Sequence, residues 1–416
     1  MRLLLRLLPP PGVGRPLAVQ AAIFAVGSGL FLSGSAVFFT QVVGLSPAAV
    51  GVGLSVSGLV SMLLAVPLGS LVDRVGAQRM WVAAICLELA MYLLYPFVRG
   101  FVGFLAVVIA LSLVEGSGGT ARSVYTMEVI PQADRVRILA YQRSALNVGF
   151  TVGAGLAGLV LWIDTRPAYL ALPLGYALVL AFNAAWVARL PRVAPTAGRP
   201  AAAGWAARFA VFADRSFLAV VTIAAVLWTT DTVYMVVSPL WLIAHTDAPR
   251  ALIPWLVALN TVLVVILQVW VSRGGDTVSG AARCMRRAGF ALAAACVLLA
   301  ATGFSTGAVT IGLFLVVGVA LTAAEMYQSA GVWGINSQLP PADLRGQYIG
   351  ASRMVGQLRQ ILAPAALTAL TVTWGGPVGW LLIAAAVSVA GVLAVPVTAW
   401  AARSPRLGSV PEPVGV

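Results

Sequence analysis

Residues 69–79 read GSLVDRVGAQR. This stretch is a short turn in which Asp73 and Arg74 stand between Gly69 and Gly76, and the chain on both sides of it is almost entirely apolar. Apolar runs of membrane length on either side of a charged turn indicate two spanning helices joined by a loop at the membrane surface.

The composition excludes a soluble protein. Of the 416 residues, 60% are hydrophobic and 9% are charged, whereas soluble domains carry about 25% charged residues. We therefore expect the lipid bilayer to be the solvent for most of the surface. The formal charge of +13 comes from Arg alone, since the chain has no Lys. These Arg residues are spread over short loops instead of one basic cluster, so a nucleic-acid partner is not expected.

Missing residue types exclude several energy sources and cofactors. Without Lys there is no phosphate-binding loop of the form G-x-x-x-x-G-K-[ST], so ATP is not expected to drive the protein. One His and three scattered Cys do not make a metal cluster or a disulfide framework. The sequence therefore predicts no cofactor and no metal site.

Counting apolar runs long enough to cross a bilayer predicts twelve spans. They cover residues 17–43, 48–72, 78–98, 101–126, 136–162, 168–190, 216–244, 250–272, 285–304, 306–331, 345–373 and 377–401. The longest polar gap separates six spans from six. It predicts an N-terminal six-helix bundle over 1–190, a cytoplasmic linker over 191–215, and a C-terminal six-helix bundle with a short cytoplasmic tail over 216–416.

The distribution of Arg predicts the orientation. With twelve spans both termini lie on one side, and 23 of the 26 Arg residues fall on that side. Because loops rich in Lys and Arg are cytoplasmic, we expect both termini in the cytoplasm and a multi-pass protein of the plasma (inner) membrane. The first span is expected to serve as an uncleaved signal anchor.

The two halves repeat each other at a shift of 210 residues. Span 4, its cytoplasmic loop and span 5 align with span 10, its loop and span 11. The shift pairs Glu115 with Glu325, Pro131 with Pro341, Arg135 with Arg345, Arg143 with Arg353 and Asn147 with Gln357. Two parallel half-repeats of this kind predict a substrate site where the halves meet.

The 69–79 stretch resembles the G-x-L-x-D-R-x-G loop signature of the major facilitator superfamily. The resemblance implies an all-α membrane protein with twelve transmembrane helices in two six-helix half-repeats, which works as a secondary transporter on a proton gradient. It also implies that this loop gates the conformational change and that Asp73 meets the start of span 11. The gating residues are Gly69, Asp73, Arg74, Gly76 and Arg79.

The loop signature has two departures. Basic residues usually follow its second Gly, and here Ala77 and Gln78 stand at those positions. The corresponding loop after span 8 is degraded, with Asp276, Gly280 and Arg283 but not the full pattern.

Span 5 carries a second resemblance. Gly149, Gly153 and Gly158 are similar to the G-x-x-x-G-P-x-x-G-G stretch of the drug/proton antiporter branch, with Ala154 in place of Pro. The motif favours export and places the chain closest to the bacterial members of that branch. Small residues at this spacing also form ordinary helix-packing surfaces, which is the alternative interpretation.

Acidic residues inside the spans are the main candidates for chemistry, because an ionisable group at mid-membrane costs at least ~2.5 kcal/mol. The resemblance implies that spans 1, 4, 7 and 10 line the cavity, which selects Glu115, Asp231 and Glu325 for proton coupling or substrate binding. Glu88 lies on span 3, which is peripheral in that family, so a local structural role is favoured for it.

Arg359 lies deep in span 11 and is the candidate partner of a cavity carboxylate. A static ion pair between Arg359 and Glu115 or Glu325 is the structural alternative to coupling. Aromatic rings bind amphipathic and cationic organic compounds by stacking, whereas a position at the membrane interface is the alternative role. The aromatic candidates are Trp228, Tyr234 and Tyr327.

Together these features predict proton-coupled efflux of a small amphipathic organic compound, such as a drug or natural product, by alternating access. The expected partners are a small-molecule substrate, protons and the bilayer, and the expected state is a monomer. The protein is not expected to be an enzyme. Two alternatives stay open: an inward symporter or uniporter of a small metabolite, and a lipid flippase.

Overall fold

A computed structural model describes residues 12–191, 211–250, 252–341 and 344–404. These residues form helices and turns and no β-strand. The helices are α1 (Gly14–Val37), α2 (Pro47–Val75), α3 (Ala77–Leu94), α4 (Gly100–Val129), α5 (Arg135–Ile163), α6 (Arg166–Ala188), α7 (Arg215–Leu227), α8 (Thr229–Thr232), α9 (Ser238–His245), α10 (Leu252–Val271), α11 (Val278–Thr302), α12 (Gly307–Gln338), α13 (Arg345–Thr368) and α14 (Gly376–Ala402). Short π-helical turns follow α1, α8 and α13, over Phe38–Val42, Val233–Val237 and Ala369–Thr373.

Ten helical segments among the described residues are long and apolar enough to cross a membrane. The prediction of an all-α, multi-pass membrane protein is therefore confirmed. The predicted spans at 250–272 and 345–373 are also helical, but they are not among the ten. The apolar part of α10 is short, Trp255–Val271, and α13 carries three Arg residues.

Polar side chains and one glycine fix several helix ends. Ser46, Thr165, Asp214 and Thr277 each accept a hydrogen bond from the backbone N–H three residues later, at the start of α2, α6, α7 and α11. At the other end of α2, Gly76 has φ +94°, a conformation that strains any residue with a Cβ. The sharp turn at Gly76 lets α3 begin at the next residue.

The helices group into two compact units. Of the described residues, unit 1 comprises 12–131, 141–191, 211 and 344–354, and unit 2 comprises 132–140, 212–250, 252–341 and 355–404. The start of α13 therefore belongs to unit 1 and the start of α5 to unit 2. The predicted bundle boundaries stay predictions. Residues 192–210 of the predicted linker and the tail from residue 405 lie outside the described residues.

The interior of unit 1 is aromatic. The ring of Phe31 lies 4.9 Å from that of Tyr92 and 5.4 Å from that of Tyr95, and Tyr92 lies 4.5 Å from Tyr176, measured between centroids. Each such pair adds about 0.5–1.5 kcal/mol beyond the apolar area that it buries. These rings join α1, α3 and α6 around a common interior space.

Helices α1 and α5 approach each other closely within unit 1. A Cβ at Gly149 would collide with the carbonyl oxygen of Ala22, and one at Gly153 with that of Val26, whereas Gly158 lies in open space. Two of the three predicted span 5 glycines are therefore packing positions, where any larger residue would push the helices apart. The link between this motif and export stays a prediction.

Unit 2 packs around two tryptophans. Trp241 of α9 and Trp380 of α14 are fully buried, with ring centroids 5.8 Å apart in an edge-to-face arrangement. The indole N–H of Trp241 donates to the Thr302 hydroxyl of α11 at 2.9 Å. Burying this N–H with a partner lets the ring fill the interior without an unsatisfied donor.

Candidate functional site

The 69–79 loop holds the start of α13. Asp73 is buried, and its two carboxylate oxygens accept hydrogen bonds from the backbone N–H groups of Gly346, at 2.8 Å, and Gln347, at 3.1 Å. A helix N-terminus has free N–H groups and a partial positive charge, so a carboxylate is a favourable cap. Asp73 thus lies at the start of span 11, where the resemblance puts it.

Glycines allow α2 to come this close to α13. A Cβ at Gly69 would collide with the carbonyl oxygen of Gly346, and a Cβ at Gly350 would lie 2.6 Å from the carbonyl oxygen of Ala65. Backbone atoms cannot swing aside as a flexible side chain can. The glycine at position 69 therefore sets the distance at which Asp73 can cap α13.

The other loop residues have separate roles. Arg74 and Arg79 are exposed. Gln78, which stands where the family signature has a basic residue, donates to the carbonyl oxygens of Val187 and Leu190 at 3.2 and 3.0 Å. These carbonyls lie at the end of α6 and need donors from outside the helix. The departure from the signature thus ties the loop to α6.

A related contact occurs in unit 2. The Asp276 carboxylate accepts a hydrogen bond from the backbone N–H of Val136, in the first turn of α5, at 3.1 Å. Val136 is 210 residues before Gly346, which equals the shift of the repeat predicted from the sequence. Burial raises the pKa of the Asp276 carboxyl, and the bond from Val136 opposes that change. The degraded second loop therefore keeps a capping carboxylate.

Unit 1 contains a cavity of about 410 Å³. This volume is in the range of small-molecule sites, about 300–1,000 Å³. Its walls come from α1, α2, α3, α4 and α6 and from the start of α13. The aromatic residues that line it are Phe24, Phe31, Phe39, Trp81, Tyr92, Tyr95 and Tyr176.

Four charged residues line the same cavity: Glu88, Glu115, Arg122 and Arg353. In the part of the chain that the structure describes, none of them has an ion-pair partner within 4.0 Å. Glu88 is 5% exposed, and its Oε2 has no hydrogen-bond partner among the described residues. The Tyr92 side chain interacts electrostatically with the Glu115 carboxylate. The cavity thus holds charges of both signs with no close ion pair among the described residues, although Glu88 and Arg122 interact electrostatically at longer range.

The two arginines are positioned by their neighbours. The guanidinium of Arg122 lies 5.4 Å from the centroid of the Phe24 ring, a favourable cation–π arrangement. The guanidinium of Arg353 occupies the space beside Gly119, where an added Cβ would lie 2.5 Å from Nη2. Gly119 therefore makes room for Arg353 next to α4.

The predicted acid Glu325 lies in unit 2. Its carboxylate accepts a hydrogen bond from the Asn260 side chain at 2.8 Å, and the same Asn260 nitrogen donates to the Thr322 hydroxyl at 3.2 Å. Tyr234 interacts electrostatically with Glu325 and donates its hydroxyl hydrogen to the carbonyl oxygen of Leu256. Tyr234 also lines a second cavity of about 50 Å³. Glu325 and Tyr234 thus form one polar group in unit 2.

A second polar group of unit 2 surrounds the break between α7 and α8. The indole N–H of Trp228 donates to the Asp231 carboxylate at 2.6 Å. Arg359 donates to the carbonyl oxygen of Trp228 at 2.9 Å and interacts electrostatically with Asp231. The Trp228 carbonyl accepts a hydrogen bond from the backbone N–H of Asp231 at 3.3 Å as well as the one from Arg359, at the point where the regular helix is interrupted. The structure therefore brings Trp228, Asp231 and Arg359 together.

The predicted aromatic residue Tyr327 already has a cation over its ring. The guanidinium of Arg287 lies 5.7 Å from the Tyr327 centroid. Tyr327 also packs against a buried cluster that includes Val136 and Cys284. These contacts within unit 2 are typical of a residue that stabilises the packing of the helices.

Three charged residues of the unit 1 cavity were not selected as site residues from sequence: Glu88, Arg122 and Arg353. One signal was available for Arg122, because it follows Glu115 by seven residues and so lies on the same face of α4. Glu88 and Arg353 come from α3 and α13, and only the packing of those helices against α4 brings them into the cavity.

Comparison with known proteins gives a family. Residues 17–364 match the family described as the Major Facilitator Superfamily. No curated protein gives a match. Among solved structures, a bacterial homologue of the iron transporter ferroportin is 14% identical, with TM-score 0.69, covering 94% of this chain and 100% of that chain. The human organic anion transporter MFSD10 (TETRAN) is 15% identical, with TM-score 0.61 and coverage of 94% and 100%.

A third similar structure is the E. coli fucose:proton symporter FucP, at 13% identity and TM-score 0.68, covering 94% of this chain and 98% of that chain. Sequence identities this low show a shared fold, and they do not show that this protein carries the substrates of the three similar proteins. The family match, in contrast, spans well over half of the chain. The chain belongs to the major facilitator superfamily and is a membrane transporter, not an enzyme.

Proposed function

We propose that the protein is a proton-coupled exporter of small amphipathic organic compounds, working by alternating access through twelve spans in two six-helix half-repeats. The observation that supports this most is the unit 1 cavity, where the carboxyl groups of Glu88 and Glu115 meet aromatic walls. The proposed carrier is a monomer in the plasma (inner) membrane, with both termini in the cytoplasm and no cofactor.

Glu115 is the proposed coupling group. A carboxylate in a largely apolar cavity is penalised by desolvation, so it favours either a proton or a cationic group nearby. The two occupants exclude each other, because a protonated carboxyl has no charge to offer a cation. A carrier of this kind exchanges an outgoing substrate for an incoming proton.

Glu325 and Asp231 are the further coupling candidates. Glu325 takes the position of Glu115 in the second half-repeat, and Asn260 holds its carboxylate. Asp231 has Trp228 and Arg359 as neighbours, and that arrangement also fits a static structural role. Tyr234 and Tyr327 are proposed to contribute aromatic surface to substrate binding.

The Asp73 cap is the proposed conformational latch. Its hydrogen bonds to Gly346 and Gln347 hold the start of α13 against α2, so a state in which α13 moves away must break them. Gly69 permits the contact, Gly76 forms the turn, and the exposed Arg74 and Arg79 complete the loop. The latch favours the state in which the cap is formed by ~1 kcal/mol or more.

The function is tested by a screen of amphipathic compounds for uptake into inverted membrane vesicles that carry an imposed pH gradient. Uptake that requires the gradient and disappears with an uncoupler supports export by proton antiport. Counterflow without any dependence on pH would show a uniporter, and uptake into right-side-out vesicles driven by protons would show a symporter. Gradient-independent movement of a fluorescent phospholipid between leaflets would show a lipid flippase. Each of these three results contradicts the proposal.

The orientation is tested by cysteine labelling. We expect Asp164→Cys, between α5 and α6, to react with a membrane-impermeant maleimide on intact cells, and Arg273→Cys, after α10, to react only after the membrane is opened. Both variants are made in a background that lacks Cys86, Cys284 and Cys296. The reverse pattern of labelling would invert the topology.

A further inference from the structure

We propose that the unit 1 cavity binds a small zwitterion with an aromatic or apolar body. The cationic group of this ligand lies beside Glu115 and Glu88, and its anionic group lies beside Arg353 and Arg122. The inference rests on the proposed function, because it takes this cavity to be the site that receives the transported compound.

Both signs of charge line the cavity, and Glu88 and Arg122 interact electrostatically across it without forming a close ion pair among the described residues. Two carboxylates and two guanidinium groups face it, and no ion-pair partner lies within 4.0 Å of any of them among the described residues. An unpaired charge away from bulk water is unfavourable, above all inside a membrane. A ligand that brings one charge of each sign supplies both missing partners at once.

The charges are arranged along α4. Glu115 and Arg122 lie on the same face of this helix, seven residues or about 10 Å apart along its axis. Gly118 and Gly119 lie between them and have no side chain, and the guanidinium of Arg353 occupies the space beside Gly119. The cavity therefore has an acidic side at Glu115 and a basic side that extends from Gly119 to Arg122.

Glu88 extends the acidic side. Its Oε1 would lie 3.5 Å from a Cβ at Gly118, one turn from Glu115. The residue is 5% exposed, and its Oε2 has no hydrogen-bond partner among the described residues. Buried carboxylate oxygens normally have a donor, and the ammonium group of a ligand has three.

The walls suit the body of such a ligand. The rings of Phe31, Tyr92 and Tyr176 are in mutual contact at one side of the cavity, with Phe31 4.9 Å and Tyr176 4.5 Å from Tyr92. Aromatic faces stack on flat apolar groups and also attract organic cations. A volume of about 410 Å³ accommodates a compound at least as large as an aromatic amino acid.

Ligands of other charge types leave cavity charges unpaired. A cation leaves the guanidinium groups of Arg122 and Arg353 without an opposite charge at ion-pair distance, and an anion leaves the carboxylates of Glu88 and Glu115 without one. A neutral sugar brings no charge to any of the four charged side chains. Because discrimination depends on what the wrong ligand leaves unpaired, the cavity should prefer the zwitterion to each of these.

Three indole compounds with one ring system test this preference. L-tryptophan carries both charges, tryptamine carries only the ammonium group, and indole-3-propionate carries only the carboxylate. Binding of each to the purified full-length protein in detergent is measured from the concentration dependence of the thermal unfolding midpoint. We expect tryptophan to bind at least ~10-fold more tightly than either analogue. Equal or tighter binding of an analogue, or no binding of tryptophan, would overturn the inference.

Two variants test which side chain of the cavity binds the ammonium group of the ligand and which binds its carboxylate. Glu115→Gln should weaken tryptophan binding ~10-fold and leave indole-3-propionate unaffected, whereas Arg353→Gln should weaken tryptophan binding and leave tryptamine unaffected. The binding that each variant retains shows that it is folded. Arg99→Gln, which changes an exposed arginine outside the cavity, should leave all three compounds unaffected. Unchanged tryptophan binding in both cavity variants would contradict the assignment.

Failure of this inference differs from failure of the proposed function. Equilibrium binding needs no proton gradient, so tryptophan binding without any proton-driven transport contradicts only the proposed function. If the protein transports a compound with a single charge in a proton-driven way and does not bind tryptophan, only the inference that the cavity binds a zwitterion is contradicted.

Discussion

Glu115→Gln is expected to abolish accumulation of substrate against a gradient, while exchange of substrate at equal pH survives. Gln keeps the size of Glu and can still accept a hydrogen bond, but it cannot bind or release a proton. Uptake into inverted vesicles is measured with and without an imposed pH gradient. Exchange is measured with substrate well above the half-saturation concentration of the variant, because the loss of charge also weakens binding.

Exchange at equal pH separates coupling from folding, since a misfolded carrier loses both activities. Glu325→Gln and the double variant are measured in the same way. Asp134→Asn serves as the control for loss of a carboxylate, because Asp134 lies in a surface ion pair with Arg137. If both single variants and the double variant still accumulate substrate, the pair is structural and Asp231 becomes the leading coupling candidate.

Asp73→Asn is expected to slow transport about fivefold or more while folding and membrane insertion stay intact. Asn has one acceptor oxygen for the two N–H groups of Gly346 and Gln347, and it lacks the charge that interacts with the start of α13. The loss is ~1 kcal/mol, which changes the populations of two conformations about fivefold. Transport is measured per amount of protein that elutes as a single species in size-exclusion chromatography.

Asp134→Asn is again the matched control, because surface ion pairs contribute only about 0–1 kcal/mol and Asp134 does not cap α13. Its transport rate should stay close to that of the unmodified protein. Normal transport by well-expressed Asp73→Asn protein would remove the gating role from this loop.

The loop could be predicted from sequence because it is local, whereas its contact with the start of α13 joins residues 273 positions apart and followed only from the family resemblance. Gly69, Asp73 and Gly76 stand at fixed spacing in one turn, and each has a conformational or capping reason to be there. The apolar runs likewise predict helices directly, since a spanning segment must satisfy its backbone hydrogen bonds internally.

Which residues line the unit 1 cavity could not be predicted in the same way. The family resemblance favours a local structural role for Glu88, because span 3 is peripheral in that family, whereas in the structure Glu88 lines the unit 1 cavity with Glu115. Arg353 enters that cavity because Gly119 leaves space beside α4. Both placements depend on which faces of distant helices meet. That information lies in the packing and not in the periodicity of one helix.

Arg359 shows how far depth in a span can predict a partner. Its position in span 11 predicts a buried cation beside a cavity carboxylate, without saying which of the candidate acids it meets. In the structure it lies beside Trp228 and Asp231 of unit 2. Arg359 binds the carbonyl oxygen of Trp228 at the break between α7 and α8. No residue pattern in this region predicts that break.

Proton movement driven by substrate is the most direct test of proton-coupled export. Purified protein is reconstituted into liposomes that contain a pH indicator, with equal pH on both sides, and labelled L-tryptophan or the compound identified in vesicles is added outside. Antiport predicts that the interior becomes alkaline as substrate enters and protons leave, and that this change is absent with Glu115→Gln. Entry of labelled substrate with an unchanged or acidified interior would contradict it.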